Sequence, residues 1–313
     1  MQYHSCPEQN LDLALVNRRI EEVFSAHGRG EVVQPPKTYV ALPGGDFRTM
    51  PASIPSLGLA GVKVVNVHPG NPARGLPTVM ALTVLLDPAT GTPRAILNAT
   101  RLTDLRTGAA GAVAARHLCT MRDGLEVGLV GAGSQAQAQL DATAAWLGID
   151  RVRVWSRRAT TAEAFARKNP SFDVRAGTLA RAADCDLLIT TTPSREPLVR
   201  NEWVRAGTHV NAIGADAPGK QELDPALLER ALVYVDDREQ AVHSGEVNVP
   251  IARGQIGADR LAGTLGEVVL GRKGRRSASE VTVFDATGLA IQDLAIAKVA
   301  LEVCGPGIEL GFP

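Results

Sequence analysis

The stretch Glu126-Val-Gly-Leu-Val-Gly-Ala-Gly-Ser-Gln-Ala-Gln-Ala-Gln-Leu140 decides the fold class, because it reads as strand, tight turn and helix in succession. The run up to Val130 is short and apolar, as suits a strand buried on both faces of a parallel sheet. Gly131 permits a turn that a side chain would obstruct, and Gly133 lets backbone N–H groups approach a pyrophosphate. Ser134 and Gln135 open the helix beside them, and Ala136 fills the third small position, where helix packs on strand. Ala136, Leu140, Ala144 and Leu147 recur at helical spacing, so one face lies on the sheet while the helix N-terminus points its partial positive charge at phosphate. A glycine turn by itself also ends strands that bind nothing. Here both flanks fit a dinucleotide site.

The second strand of such a unit ends near the adenosine ribose, and Arg151-Val-Arg-Val-Trp155 occupies that place. Sites for NAD put an acid there to bond the 2′-hydroxyl. This chain has Ser156, Arg157 and Arg158 instead, and a guanidinium binds a 2′-phosphate through charge-assisted bonds. The expected cofactor is NADP(H), with NAD(H) possible.

With 313 residues, 45% of them hydrophobic, there is room for two domains with cores of their own. The formal net charge of +0 offers no field for nucleic acid or an acidic membrane. No apolar run is long enough to span a bilayer and no signal peptide opens the sequence, so a cytoplasmic protein is expected. Cys6, Cys119, Cys185 and Cys304 are scattered and form no ligand cluster with histidine, so reduced thiols, two or more in the core, and no metal are expected.

A first helix, capped by Asn10, buries Leu13, Val16, Ile20 and Val23 and ends at Gly28. From Val32 to about Asp87 short apolar runs alternate with Pro and Gly, which implies a mixed or antiparallel sheet; 78–86 and 95–98 form a hairpin in it. Thr103 or Asp104 then caps a helix through the small residues 109–116. Strands at 126–130, 152–155, 187–190, 209–213, 232–235 and 281–284 follow, separated by crossovers, as in a doubly wound parallel sheet. Ligands of such sheets sit beyond the strands' carboxyl ends, which singles out Gly131, Ser156, Thr191, Thr192, Asp216 and Asp285. The basic run Gly271-Arg-Lys-Gly-Arg-Arg-Ser277 reads as a solvated loop. The apolar helix 289–302 needs a partner and is expected to return to the N-terminal domain.

The combination of Lys63-Val-Val-Asn66 with His68-Pro69, Thr78-Val-Met-Ala81, Leu102-Thr-Asp-Leu-Arg-Thr-Gly108, Gly131-Ala-Gly-Ser-Gln-Ala136 and Gly214-Ala-Asp-Ala-Pro-Gly-Lys220 resembles the ornithine cyclodeaminase and mu-crystallin family over nearly the whole chain. The resemblance implies a Rossmann domain, 119–292, joined to a smaller, discontinuous α+β domain for substrate binding and dimerisation, 1–118 with 293–313, and an active site in the cleft between them. It also implies that Lys63 and Arg106 hold the substrate carboxylate with help from Lys37, that Asp216 handles the proton, and that Lys63 and Asp216 form the catalytic set. A domain of glycine-punctuated strands should expose a sheet edge or apolar face, and the resemblance implies that a second copy covers it.

Two departures guide the choice of reaction. Ser156-Arg-Arg158 stands where the cyclising enzymes resemble NAD binders, and Arg48 stands near the glutamate with which they hold ornithine's distal amine, although Asp46 is close enough to take that role. A guanidinium there repels an ammonium and is a substrate-binding candidate itself. The expected activity is therefore NADPH-dependent reduction of a small cyclic imino acid, Δ1-pyrroline-2-carboxylate or Δ1-piperideine-2-carboxylate. The alternatives are ornithine cyclodeamination with NAD, an alanine or N-substituted amino-acid dehydrogenase, and a non-catalytic small-ligand-binding protein.

Overall fold

The computed structural model describes residues 1–311; Phe312 and Pro313, the end of the segment 293–313 assigned above to the substrate domain, lie outside the described residues. The chain forms two compact units, Met1–Arg106 with the segment from Leu289 onward, and Thr107–Gly288. In sequence these two units join at Arg106/Thr107 and at Gly288/Leu289. One unbroken helix carries the first junction, so no loop signal marks it.

The first unit opens with β1 (Gln2–His4) and α1 (Leu13–Gly28), which buries Val16, Ile20 and Val23 as its spacing requires. Its cap is Asp12, whose side chain accepts the Ala14 N–H at 2.9 Å, rather than Asn10, which turns the preceding chain with a left-handed φ of 65°. An antiparallel meander follows: β2 (Thr38–Leu42), β3 (Gly45–Ile54), β4 (Leu59–Val67), β5 (Val79–Leu86) and β6 (Pro93–Asn98). Lys63 stands opposite Met50 on one side and Thr83 on the other. Strand alternation puts these three with Arg48 and Val65 on the buried face, and Thr49, Val64 and Leu82 on the other face, where Val64 and Leu82 are 39% and 46% exposed. Next, α2 (Thr100–Leu118) starts where Asn98 Oδ1 accepts the Thr100 N–H at 3.2 Å. Thr103 and Asp104 therefore lie inside the helix and do not cap it.

In the second unit the rest of α2 approaches the chain closely, since a Cβ at Gly108 or Gly111 would collide with Ala138 or Gln139. That explains its small residues. The elements then alternate: β7 (Leu125–Val130), α3 (Ser134–Ala144), β8 (Ile149–Trp155), α4 (Ala159–Lys168), β9 (Val174–Ala176), α5 (Leu179–Ala183), β10 (Leu187–Thr190), β11 (His209–Ala212), α6 (Pro225–Arg230), β12 (Leu232–Val235), α7 (Arg238–Ser244), α8 (Asn248–Ala252), β13 (Leu261–Thr264), α9 (Leu265–Val269) and β14 (Thr282–Asp285). They build an eight-stranded parallel sheet in the order β13-β12-β14-β11-β10-β7-β8-β9. The order reverses between β7 and β10, which makes this the switch point of a doubly wound fold. Strands β9 and β13 were not expected; each is an edge strand of three or four residues without a continuous apolar run. The basic loop is only partly solvated. Arg272 and Arg276 are exposed, but Arg275 turns inward and donates to Leu118 O at 2.8 Å and Thr282 Oγ1 at 3.1 Å.

Finally α10 (Ala290–Val303) packs on α1, β3, β4 and β5, and β15 (Ile308–Glu309) pairs with β1, which itself runs parallel to β6. The first unit is therefore a mixed seven-stranded sheet with helices, closed by the two ends of the chain. All four cysteines are free thiols, and Cys119 and Cys185 are buried. No helix among the described residues is long and apolar enough to cross a membrane.

Candidate active site

In the first unit, three elements converge on one carboxylate. Lys63 projects from β4 on the buried face, Arg106 from α2, and Asp293 from the first turn of α10, where a negative charge also suits the helix dipole. Lys63 Nζ lies 2.7 Å from Asp293 Oδ2 and Arg106 Nε 2.9 Å from Asp293 Oδ1, all three side chains being less than a tenth exposed. Arg106 Nη1 donates to Gln292 Oε1 at 2.8 Å. Burial pushes the Lys63 ammonium down to about 7; Asp293 opposes the shift, and Arg106 and Lys37 add to it. Arg48, also buried, bonds Asp46 Oδ1 through Nε at 2.7 Å and lies 5.0 Å from the centre of the Tyr39 ring, over which Lys37 sits at 6.0 Å. Asp46 is thus the carboxylate partner of Arg48.

In the second unit, Gly131 follows β7 with φ +115°, and a Cβ there would strike Thr191 Oγ1 just past β10. The two strand ends meet at the switch point. Gly133 is the N-cap residue of α3, supplies no side-chain acceptor, and has open space where its Cβ would be. Ser134 and Gln135 begin the helix, and Ala136 is fully buried against the sheet. The arrangement fits a dinucleotide pyrophosphate: a glycine turn without obstruction and an eleven-residue helix aimed at it. Ser156 follows β8. Arg157 and Arg158 are exposed, and neither side chain has a hydrogen-bond or ionic partner among the described residues.

A buried glutamate organises the neighbouring rim. Glu222 accepts the Thr192 N–H and hydroxyl at 2.6 and 2.7 Å on Oε1, and the Thr190 hydroxyl and Gly214 N–H at 2.7 and 2.9 Å on Oε2. It therefore ties the loop after β10 to the loop after β11. Burial raises its carboxyl above the usual range, and these four donors counteract the shift. Asp216 lies on the second of these loops and pairs with Lys220, one helical turn's spacing further on. Asp285 closes β14 fully buried, accepts the Val247 N–H at 3.2 Å, and is turned into the protein.

Sequence reasoning did not single out Asp293, Gln292, Glu222 or the pairing of Lys220. A signal for the first two existed. Gln292 and Asp293 stand among the apolar residues of a helix whose other polar residues, Lys298 and Glu302, are exposed, and a buried charge in such a helix demands a partner.

Residues 2–304 match the model of the ornithine cyclodeaminase/mu-crystallin family. The chain belongs to this family. An alanine dehydrogenase of Archaeoglobus fulgidus is 48% identical over 286 residues, 90% of this chain and 88% of the relative. Among solved structures, an archaeal alanine dehydrogenase dimer with bound NAD superimposes with a TM-score of 0.93 at 45% identity, covering 96% and 95% of the two chains. The Δ1-pyrroline-2-carboxylate reductase of Thermococcus litoralis, in complex with NADH and L-proline, gives 0.94 at 32% identity over 99% and 100%. This member of the ornithine cyclodeaminase/mu-crystallin family is one of its oxidoreductases. Its two cations with a shared aspartate lie in the unit of the mixed sheet, and its dinucleotide turn in the parallel sheet.

Proposed function

We propose that this oxidoreductase interconverts a small 2-amino acid and its 2-imino acid with a nicotinamide dinucleotide, and that alanine and 2-iminopropanoate, formed from pyruvate and ammonia, are the pair it serves. The observation that carries the reading is the buried assembly of Lys63 and Arg106 on Asp293, an anion-binding centre in an apolar interior. Such a centre suits the carboxylate shared by every substrate of this class. Arg48, held by Asp46 at 2.7 Å, stands where a distal ammonium would need an acid, which disfavours ornithine and favours a short side chain. The 48% identity to an alanine dehydrogenase points the same way.

The bound nicotinamide supplies or accepts the hydride at the carbon next to the carboxylate. Lys63 and Arg106 orient that carboxylate, with Lys37 and Arg48 completing the positive lining. Asp216 keeps the imine nitrogen protonated, so that the carbon is electrophilic. Arg157 and Arg158 favour a 2′-phosphate, hence NADP(H) over NAD(H). A homodimer is the working form, because the apolar face of Val64 and Leu82 lies open in the single chain.

A second reading, reduction of Δ1-pyrroline-2-carboxylate or its six-membered homologue, draws on the likeness to the Thermococcus litoralis reductase. Nicotinamide absorbance separates the two: pyruvate with ammonium against the cyclic imines, each with NADH and NADPH. Alanine formed in step with nicotinamide oxidation supports the first reading. Turnover of cyclic imines alone replaces it with the second, and ammonia release from ornithine without net nucleotide oxidation overturns both. Asp216→Asn should bind NADPH normally and lose most of its turnover.

A further inference from the structure

We infer that Asp293 is a positioning residue, which holds the Lys63 ammonium and the Arg106 guanidinium together as one receptor for the substrate carboxylate. The inference rests on the function proposed above. Each oxygen of Asp293 serves a different cation, Oδ2 for Lys63 at 2.7 Å and Oδ1 for Arg106 Nε at 2.9 Å, so one side chain on α10 sets the relation of a strand lysine to a helix arginine.

The donors left over favour a ligand. Lys63 faces Asp293 Oδ2 as an ion pair at 2.7 Å, while Arg106 donates Nε to Asp293 Oδ1 and one hydrogen of Nη1 to Gln292 Oε1. Arg106 Nη2 has no protein partner among the described residues. Two cations on one anion also leave a single positive charge, the complement of one carboxylate. Without Asp293, two like charges would share a buried site.

The charged groups that act on Lys63 are Asp293 on α10, Arg106 on α2 and Lys37 ahead of β2. Its neighbours across the sheet are Met50 on β3 and Thr83 on β5, which carry no charge, with the Arg48–Asp46 pair further along β3. Asp293 alone among them holds the lysine protonated. Removing its charge should therefore move the alkaline limb of kcat/KM to lower pH, which loss of packing would not do.

The test compares the wild-type enzyme with Asp293→Asn and Asp293→Glu. Calorimetry measures binding of pyrrole-2-carboxylate, a planar carboxylate that hydride cannot reduce, beside the pH profile of imine reduction and the affinity for NADH. Asp293→Asn should bind the probe at least about tenfold more weakly, a loss of one charged hydrogen-bonding partner, shift the limb to lower pH, and bind NADH as before. Asp293→Glu should keep the limb and weaken the probe several-fold, since its charge stays and its reach changes. Equal probe affinity in the wild type and Asp293→Asn overturns the inference. Should Asp293→Asn fail to fold, unchanged probe affinity in Asp293→Glu overturns it, and the expected loss there supports it. If the wild type reduces no imine but binds the probe, the proposed reaction falls while the probe still decides the role of Asp293.

Discussion

Gly131 and Thr191 leave no space between them for a β-carbon: the glycine that ends β7 lies against the hydroxyl of the residue just past β10. The contact fixes the crevice at the switch point, and φ +115° at Gly131 adds a backbone demand that alanine meets badly. Gly131→Ala should cost on the order of 1–3 kcal/mol of stability and weaken NADH binding by about tenfold or more if the turn shifts. Thermal unfolding and fluorescence titration of NADH check the two effects separately. Unaltered binding would show that the turn does not form the phosphate cradle.

The proposed preference for NADPH rests on Arg157 and Arg158, whose side chains have no hydrogen-bond or ionic partner among the described residues. Losing one charge-assisted contact to a 2′-phosphate should raise the KM for NADPH in Arg157→Ala by roughly one to two orders of magnitude and leave that for NADH nearly unchanged. Steady-state kinetics with both nucleotides decides. Equal use of NADH and NADPH by the unaltered enzyme would refute the preference.

Val40, Val64 and Leu82 are 43%, 39% and 46% exposed in the mixed sheet, apolar surface that a second copy would cover. Light scattering at micromolar concentration should report a dimer, and Leu82→Arg should shift it toward monomer, because a guanidinium would be buried without a partner. A monomeric wild type contradicts the expectation.

The parallel sheet was legible because several inner strands, β7, β10 and β12 among them, are short, largely apolar runs, and β7 with α3 carries the most specific signal of the chain. The edge strands β9 and β13 escaped because half-exposed strands of three or four residues look like any loop. The helix caps are ambiguous in sequence for a similar reason. Asn10 and Asp12 are both capping residue types, and only the turn geometry selects the second. Lys63 and Arg106 were found through a resemblance of motifs, yet their common partner Asp293 was hidden by distance along the chain. A contact between the middle of a strand and a helix near the C-terminus has no local signature. Glu222 was hidden likewise, as its four donors come from the ends of β10 and β11.

His209 gives the fold a dependence on acid. It is fully buried on β11, with Nδ1 2.8 Å from Thr282 Oγ1 and Nε2 3.0 Å from Asn211 Oδ1, and burial with the nearby Arg275 charge pushes its imidazole down to about 3. An unfolded histidine takes a proton near 6.5, so the folded value is depressed and the unfolded state binds more protons between the two. This contribution is complete above about 6.5 and is lost as pH falls toward 3, by about 1.4 kcal/mol per pH unit at most. Urea unfolding across pH 4–7 should show the slope, and His209→Gln should flatten it. An unchanged slope in that variant would assign the acid sensitivity to other groups.

Lys63 makes the opposite kind of demand, on activity. With its ammonium held to about 7, the proposed receptor for the substrate carboxylate would carry its full charge only below that pH. The limb belongs to the free enzyme and so appears in kcat/KM, which should fall tenfold per pH unit on the alkaline side once Lys63 is neutral. The stability consequence has the reverse sense: the folded value lies below the unfolded one, so burying the charged lysine destabilises the fold below about 7, and the penalty fades as pH rises toward 10.5. Lys63→Arg separates the two, because a guanidinium keeps its proton throughout this range. That variant should lose activity through altered reach, on the order of tenfold or more, but what remains should show no alkaline limb near 7. A profile that retains the limb would move the titration to another group and remove Lys63 as its origin.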